Sequence, residues 1–273
     1  MNKYFSDRHS KTIIFLHLPK AAGTTLKDIL HRQYRADEVY QLDNTQFIQA
    51  QEKFKQLRQQ EKSQLKIVTG HMYFGLHKFI ASPTTYITML RNPIDRVISY
   101  YYFVKNLPTH EDYELIKTKN ISLKDYCQMP RENMNNGQTR FLSGTREFEN
   151  CGNDMLAIAK QNLQKHFLVT GVQEKFDESL LLLQEKLGWK RTPFYYRRNT
   201  NRSRSYARLG ITPDILATIE KYNELDLELY EYVNKIFDLE LELHQQNVGL
   251  FKLTNKLYGR YSIFAQKFLN SLG

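Results

Sequence analysis

The segment Thr12-Ile-Ile-Phe-Leu-His-Leu-Pro-Lys-Ala-Ala-Gly-Thr-Thr-Leu-Lys-Asp-Ile-Leu30 decides the fold. Its first part, Thr12 to His17, is a short run of β-branched and apolar residues, the composition of a parallel strand buried on both faces. Pro19 and Gly23 interrupt that run. From Thr24 to about Arg35, Leu26, Ile29, Leu30 and Tyr34 recur at helical spacing and mark a helix with one buried stripe. A strand that feeds a helix through a glycine-bearing turn aims backbone N–H groups and the positive end of the helix dipole at one point. An anion held there also meets the Lys20 ammonium and the Thr24 and Thr25 hydroxyls.

Outward from this unit, strands and helices alternate. Leu65–Thr69 reads as a second strand ending at Gly70-His71, and Thr85–Leu90 as a third, with a short helical stretch around Phe74–Ile80 between them. Asn92 and Pro93 suit the cap and first position of a helix running to about Val104. Gln46–Glu61 reads as a polar, exposed helix, and 106–152 as irregular chain with short helices near Leu123–Cys127 and Gln138–Leu142. Asp154–Lys165 is helical, Phe167–Thr170 a fourth strand and Glu174–Leu187 an amphipathic helix; a basic loop, 190–211, precedes one long helix from Thr212 to Phe237. The pattern implies an α/β fold with a central, mostly parallel sheet flanked by helices. For 273 residues one core is expected, a domain over 1–240, with 241–273 as a helical extension packed on it or mediating association.

A second loop bears on chemistry. Leu90-Arg-Asn-Pro-Ile-Asp-Arg-Val-Ile-Ser-Tyr-Tyr101 sets Arg91 at a strand end and Ser99 two turns into the next helix. A forked guanidinium and a hydroxyl suit a phosphate. Arg96 is assigned to a pairing with its neighbour Asp95 or to a salt bridge at the core edge, and the tyrosines at 100–102 to packing. The first loop is not the G-x-x-x-x-G-K-[ST] loop of nucleoside-triphosphate enzymes: Lys20 precedes the glycine, and Gly23-Thr24-Thr25 stands where Gly-Lys-Ser/Thr would be. A grip on β/γ-phosphates with Mg²⁺ is therefore poorly supported.

Lys and Arg number 39 against 29 Asp and Glu, and the resulting net charge of +10 asks for a polyanionic partner. Two cysteines, Cys127 and Cys151, without a CxxC or Cys/His cluster exclude a disulfide scaffold and a zinc site. The polar N-terminus and short apolar runs lead to an expected cytoplasmic location. Between Lys190 and Arg208 there is no acid, and Arg197, Arg198, Arg202 and Arg204 interleave with Tyr195, Tyr196 and Tyr206. A solvated charge run and a stacking platform for single-stranded nucleic acid both fit that loop.

Together, Leu18-Pro-Lys-Ala-Ala-Gly-Thr-Thr25 and Arg91-Asn-Pro-Ile-Asp-Arg-Val-Ile-Ser-Tyr-Tyr101 resemble the paired signatures of the sulfotransferases that use 3′-phosphoadenosine 5′-phosphosulfate (PAPS) and share a P-loop-kinase-like three-layer fold. The resemblance is to the carbohydrate branch that includes heparan sulfate 2-O-sulfotransferase. It extends to Gly70-His-Met-Tyr-Phe74, Tyr100-Tyr-Tyr-Phe103, Asn133-x-x-x-Gly137-Gln-Thr-Arg-Phe-Leu142 and Phe167-Leu-Val-Thr-Gly-Val172. It implies that Lys20, Ala21, Ala22, Gly23, Thr24 and Thr25 hold the 5′-phosphosulfate end of the donor, with Lys20 also steadying the leaving phosphate. Arg91 and Ser99 match the residues that grip the 3′-phosphate, and Arg202, Ser203 and Arg204 those of a loop that closes over it. His71 matches the catalytic base; His17 is assigned a structural role and His77 is the reserve base. The product would be adenosine 3′,5′-bisphosphate (PAP), no metal is expected, and the acceptor is a carbohydrate hydroxyl, with an anionic glycan suiting the remaining charge.

This chain departs from the family text at Thr69, where the glycosaminoglycan enzyme has a second histidine, and at Asn92, usually Asp in the animal enzymes. Two rivals stay in play: a kinase, which predicts dependence on ATP and Mg²⁺, and a basic nucleic-acid-binding protein, which accounts for the charge but not for two phosphate loops. The tail from Gln245 carries Lys252, Lys256, Arg260 and Lys267 with no acid, so contact with a membrane surface or a partner is open beside packing on its own domain, and oligomeric state is not readable.

Overall fold

In a computed structural model that describes residues 11–43, 46–146, 152–196, 206–244 and 247–270, the decisive run forms β1, Thr12–Leu16, buried along its whole length. After it comes α1, Gly23–Gln33, which buries Leu26, Ile29 and Leu30. The further strands are β2 (Val39–Gln41), β3 (Ile67–Gly70), β4 (Thr84–Leu90) and β5 (Phe167–Val172). All pairings are parallel, in the order β2-β3-β1-β4-β5. β1 is thus central, with Leu16 level with Gly70 of β3 on one side and Thr88 of β4 on the other. The chain fills one side of β1 with β2 and β3 and then crosses to β4, which makes the carboxyl end of β1 a topological switch point, where open α/β sheets form their ligand crevice.

Helices cover the sheet and bury a core drawn from its strands and from α1, α8 (Asn153–His166), α9 (Phe176–Leu187) and α11 (Glu224–Leu243). A second apolar cluster joins α4 (Pro93–Lys105), α5 (Tyr113–Lys117), α6 (Leu123–Gln128) and α10 (Pro213–Tyr222) around Val97, Tyr101, Ile116, Tyr126 and Ile219. The stretch expected to be irregular is therefore organised by its own small core. Cys127 is a free thiol buried inside it, pushed up to about 12 by burial, while Cys151 lies outside the described residues.

Three expectations are corrected. The short edge strand β2 is missing from the sequence reading, because Val39-Tyr-Gln41 is too brief for periodicity to show. The polar helix over 46–61 is two helices, α2 (Phe47–Gln56) and α3 (Gln59–Ser63), separated at Leu57, which is extended. It is not simply an exposed face: Phe54 is fully buried, and Lys62 buries its stem and donates from Nζ to the Lys55 carbonyl at 2.8 Å. The long helix over 212–237 breaks at Asn223, whose buried amide donates to the Ile219 carbonyl at 2.9 Å and accepts from the Asn136 N–H at 3.1 Å. A distant loop thus claims the side chain that ends α10 and starts α11.

The last helix, α12 (Val248–Asn270), lies against α9 through Phe251. Among the described residues no helix is long and apolar enough to cross a membrane.

Candidate active site

The carboxyl ends of β3, β1 and β4 are neighbours, so His71, the loop 17–22 and Arg91 converge. The loop is held in an unusual shape. Lys20 and Ala22 both have left-handed backbone, φ 66° and 56°, a conformation that costs a non-glycine residue roughly 1 kcal/mol or more. Ala22 caps α1 without a side-chain hydrogen bond, so the first-turn amides of Gly23, Thr24 and Thr25 have no intrahelical acceptor. Thr24 is exposed and Thr25 half-buried at the helix start. Gly23 is required here by its surroundings: a Cβ built on it would lie 1.8 Å from Cδ2 and Nε2 of His17.

His17 is central to the site although its ring lies beneath the loop. Only 7 % exposed, it stacks on Phe15 at 5.4 Å between ring centroids and meets the His71 ring at 4.3 Å. Its carbonyl oxygen lies 2.6 Å from His71 Nδ1. A carbonyl only accepts, so Nδ1 of His71 carries the proton and the basic lone pair sits on Nε2. Burial, with Lys20 and Lys27 nearby, lowers His71 to about 4 despite that hydrogen bond. His17 is pushed down by burial first and then by His71, Lys27 and Lys20. Both rings are therefore neutral near pH 7.

The two cations of the site brace each other's loops. Arg91 Nη1 donates to the Lys20 carbonyl at 3.1 Å. Burial lowers the Lys20 ammonium from its ordinary value, and Arg91 lowers it further; its Nζ rests 4.3 Å from the centre of the Phe103 ring. Burial likewise lowers Arg91, against the opposing pull of Asp95, Glu174 and Tyr206. Two half-buried, mutually repelling cations beside a helix N-terminus make a positive locus that an anion relieves. Ser99 is half-buried two turns into α4, whose start is capped by Asn92 Oδ1 accepting from Ile94 and Asp95 N–H groups at 3.0 and 3.2 Å.

Several residues that build this locus were not singled out from the sequence. Gln138, at the start of α7 (Gly137–Ser143), grips the main chain of Arg91 at two points: its Oε1 accepts from Arg91 N–H at 3.0 Å and its Nε2 donates to Arg91 O at 2.9 Å. Asp226, fully buried, accepts from the N–H of Gln138 and from the N–H and hydroxyl of Thr139, at 3.0, 2.7 and 2.7 Å, and lies 3.4 Å from Arg96. The core salt bridge assigned to Arg96 is thus present, with Asp226 and not its neighbour Asp95. Glu174 Oε1 accepts from Asn92 N–H at 2.9 Å. The motif Asn133–Leu142 was the available signal, but its partners lie 47 to 90 residues away and nothing local reveals them.

Other predicted residues separate. Arg202, Ser203 and Arg204 lie outside the described residues; where the chain is described again, Tyr206 donates to Asp95 Oδ1 at 2.9 Å and Tyr102 to the Leu209 carbonyl at 3.1 Å, holding that segment against α4. Lys190 and Arg191 do not join the phosphate loop. They line a cavity of about 1270 Å³ at the opposite end of the sheet, with Lys11, Lys66 and Thr85 from the strand starts, and Arg191 Nη1 donates to the Arg32 carbonyl at 2.8 Å. His77 bonds the Tyr86 hydroxyl at 3.0 Å and packs on His166, near the starts of β4 and β5, so the reserve base is not beside the loop. Among the described residues no His/Cys/Asp/Glu group could hold a metal ion.

A parallel sheet whose switch-point loop offers free amides, two cations and a neutral imidazole is of the α/β class suited to a phosphorylated ligand. The family model described as Galactose-3-O-sulfotransferase matches residues 6–248, and the chain belongs to that family. Galactose-3-O-sulfotransferase 3 of Bos taurus is 26% identical over 247 residues, covering 83% of this chain and 56% of its own length. Heparan sulfate 2-O-sulfotransferase 1 of Homo sapiens is 24% identical over 266 residues, covering 88% of this chain and 72% of its own. The chain therefore spans little more than half the length of the galactose relatives it matches. A solved structure, mouse sulfotransferase SULT7A1 complexed with PAP, aligns with 80% of this chain and 64% of its own at 13% identity and a TM-score of 0.38.

Proposed function

We propose that this protein transfers the sulfuryl group of PAPS to a carbohydrate hydroxyl. The observation that carries the reading is the meeting, at the end of β1, of the Lys20 and Arg91 cations and the α1 amides with an imidazole whose tautomer leaves Nε2 basic. PAPS, when bound, supplies an electrophilic sulfuryl group on a phosphate that leaves. The amides of Ala22 to Thr25 and the Thr24 and Thr25 hydroxyls hold its 5′ end, while the Ala21 N–H stays bonded to the Leu18 carbonyl within the loop. Arg91 and Ser99 take the 3′-phosphate, with Arg91 held in place by Gln138. By resemblance, Arg202, Ser203 and Arg204 close over the same phosphate.

The Lys20 ammonium, resting on Phe103, moves to the leaving phosphate oxygen, where its charge counts most as the bond breaks. A sugar hydroxyl attacks poorly unless its proton departs as it does so. His71 Nε2 accepts that proton, and the hydrogen bond from Nδ1 to His17 then holds the imidazolium in place. Charge on Lys20 and Arg91 stands in for a metal, so transfer is expected to survive EDTA. The sugar acceptor is supported by the galactose and heparan sulfate relatives.

Calorimetry with PAP, ADP and a mixed oligonucleotide tests the reading. PAP is expected to bind in preference to both; preference for ADP points to a kinase, and binding to the oligonucleotide alone to a nucleic-acid protein. His71→Ala is expected to retain PAP and lose transfer, and normal turnover in that variant removes His71 as the base.

A further inference from the structure

Helix α12 presents two apolar faces, and the fold uses one. On the inner face Phe251 is buried, Phe194 stacks on Phe251 and Tyr258 at 5.9 and 5.3 Å, and Asn255 Oδ1 accepts from the Tyr195 N–H at 2.8 Å. Lys252 pairs with Glu178 on α9 at 2.8 Å, and Tyr258 accepts from Arg32 on α1 at 2.9 Å. The helix is thereby fixed at several points along its first three turns.

On the outer face Leu250, Leu253, Leu257 and Tyr261 are 56, 58, 56 and 75 % exposed. Their spacing of three, four and four residues puts them on one stripe. Among the described residues nothing covers this stripe, on a helix already anchored from behind.

Charge decides what covers it. At 100° per residue, Lys256 and Arg260 fall in one row directly beside the stripe, and the sequence has no Asp or Glu after Gln245. Lys256 and Arg260 are exposed. A second copy of the same face would bring cation against cation, whereas a surface of lipid phosphates meets the row with opposite charge while its acyl layer takes the leucines. Leu239 and Leu243, also exposed at the end of α11, sit among Asp238, Glu240 and Glu242 and are left out of this surface.

We infer that α12 is an interfacial anchor that seats the protein on an anionic lipid surface, in the plane of the headgroups. It is independent of the sulfuryl-transfer reading. Flotation of the full chain with phosphatidylcholine vesicles, with and without phosphatidylglycerol, tests it. Binding is expected only where phosphatidylglycerol is present, weakening about tenfold or more at high salt. Leu253→Glu/Leu257→Glu and Lys256→Glu/Arg260→Glu are each expected to reduce bound protein about tenfold. Because these side chains point away from the fold, thermal midpoint and PAP affinity should stay at their wild-type values. Equal binding to both vesicle types, or binding unaltered in either double variant, overturns the inference. So does an absence of vesicle binding together with a dimer in sedimentation equilibrium that the leucine variant abolishes, which assigns the face to a second copy.

Discussion

Replacing Gly23 with Ala separates two readings of the phosphate loop by the sign of the effect. At an unremarkable helix start the change is neutral or stabilising by up to ~1 kcal/mol, because Ala loses less backbone freedom than Gly. Here the new Cβ lands 1.8 Å from Cδ2 and Nε2 of His17, and roughly 1.7 Å of movement is needed to restore an ordinary contact of ~3.5 Å. His17 has nowhere to go: its ring lies between Phe15 and His71, it is 7 % exposed, and its carbonyl holds His71 Nδ1. The displacement therefore falls on the loop, where Lys20 and Ala22 are already left-handed.

Overpacking of this kind costs about 1–3 kcal/mol, which for a chain of this length lowers Tm by roughly 2–5 °C. PAP affinity is expected to fall about tenfold or more as the α1 amides shift. Differential scanning fluorimetry and calorimetry read the two effects. The Gly23→Ala/His17→Ala double variant, which removes the obstructing ring, should show a coupling of ~1 kcal/mol or more in the restoring direction. An unchanged or raised Tm in Gly23→Ala, with PAP affinity intact, would falsify the assignment of Gly23 to close approach.

Gln138→Ala removes both hydrogen bonds to the Arg91 main chain and is expected to weaken PAP binding severalfold by calorimetry; PAP affinity equal to wild type would deny it the positioning role. Asp226→Ala strands Arg96 in the core and should cost about 3–5 kcal/mol in urea unfolding, with Asp226→Asn milder because two of its hydrogen bonds survive; a loss under 1 kcal/mol contradicts the network. His17 and His71 are held below their ordinary 6.5, so the folded chain binds fewer protons than the unfolded one as pH drops. Stability is flat above about pH 6.5 and declines below it, with His71 alone accounting for up to ~3 kcal/mol by the time pH reaches its folded value near 4. A wild-type slope of Tm against pH that matches His71→Gln over that window contradicts the burial of a neutral ring.

Where a structural element depends on residues close in sequence, it is legible there. The strand, the turn and the amphipathic helix of 12–33 follow from apolar periodicity and glycine placement, and Asn92-Pro93 announces the start of α4. The assignment of Arg96 to an ion pair was also sound, since an arginine on an otherwise apolar helix face needs a carboxylate. Errors arose where the deciding contact is remote. The break at Asn223 depends on Asn136, the burial of Phe54 and Lys62 on tertiary packing that their polar neighbours conceal, and the place of Lys190 and Arg191 at the far end of the sheet on strand order, because charge in sequence carries no direction in space.

The sequence alone determined a parallel α/β chain with a glycine-bearing loop after its first strand, an arginine after its third predicted one and a histidine between them, because each signal is carried by a few consecutive side chains. Only tertiary structure decided that these meet: the strand order places β1 between β3 and β4, so three loops far apart in the chain end side by side. It also decided the chemistry of His71, whose tautomer comes from the carbonyl of His17 and whose lowered proton affinity comes from burial with Lys20 and Lys27 nearby, and the placing of Arg91, whose main chain is held by Gln138. Hydrogen-bond direction and burial belong to pairs of residues in space, and a linear pattern records neither.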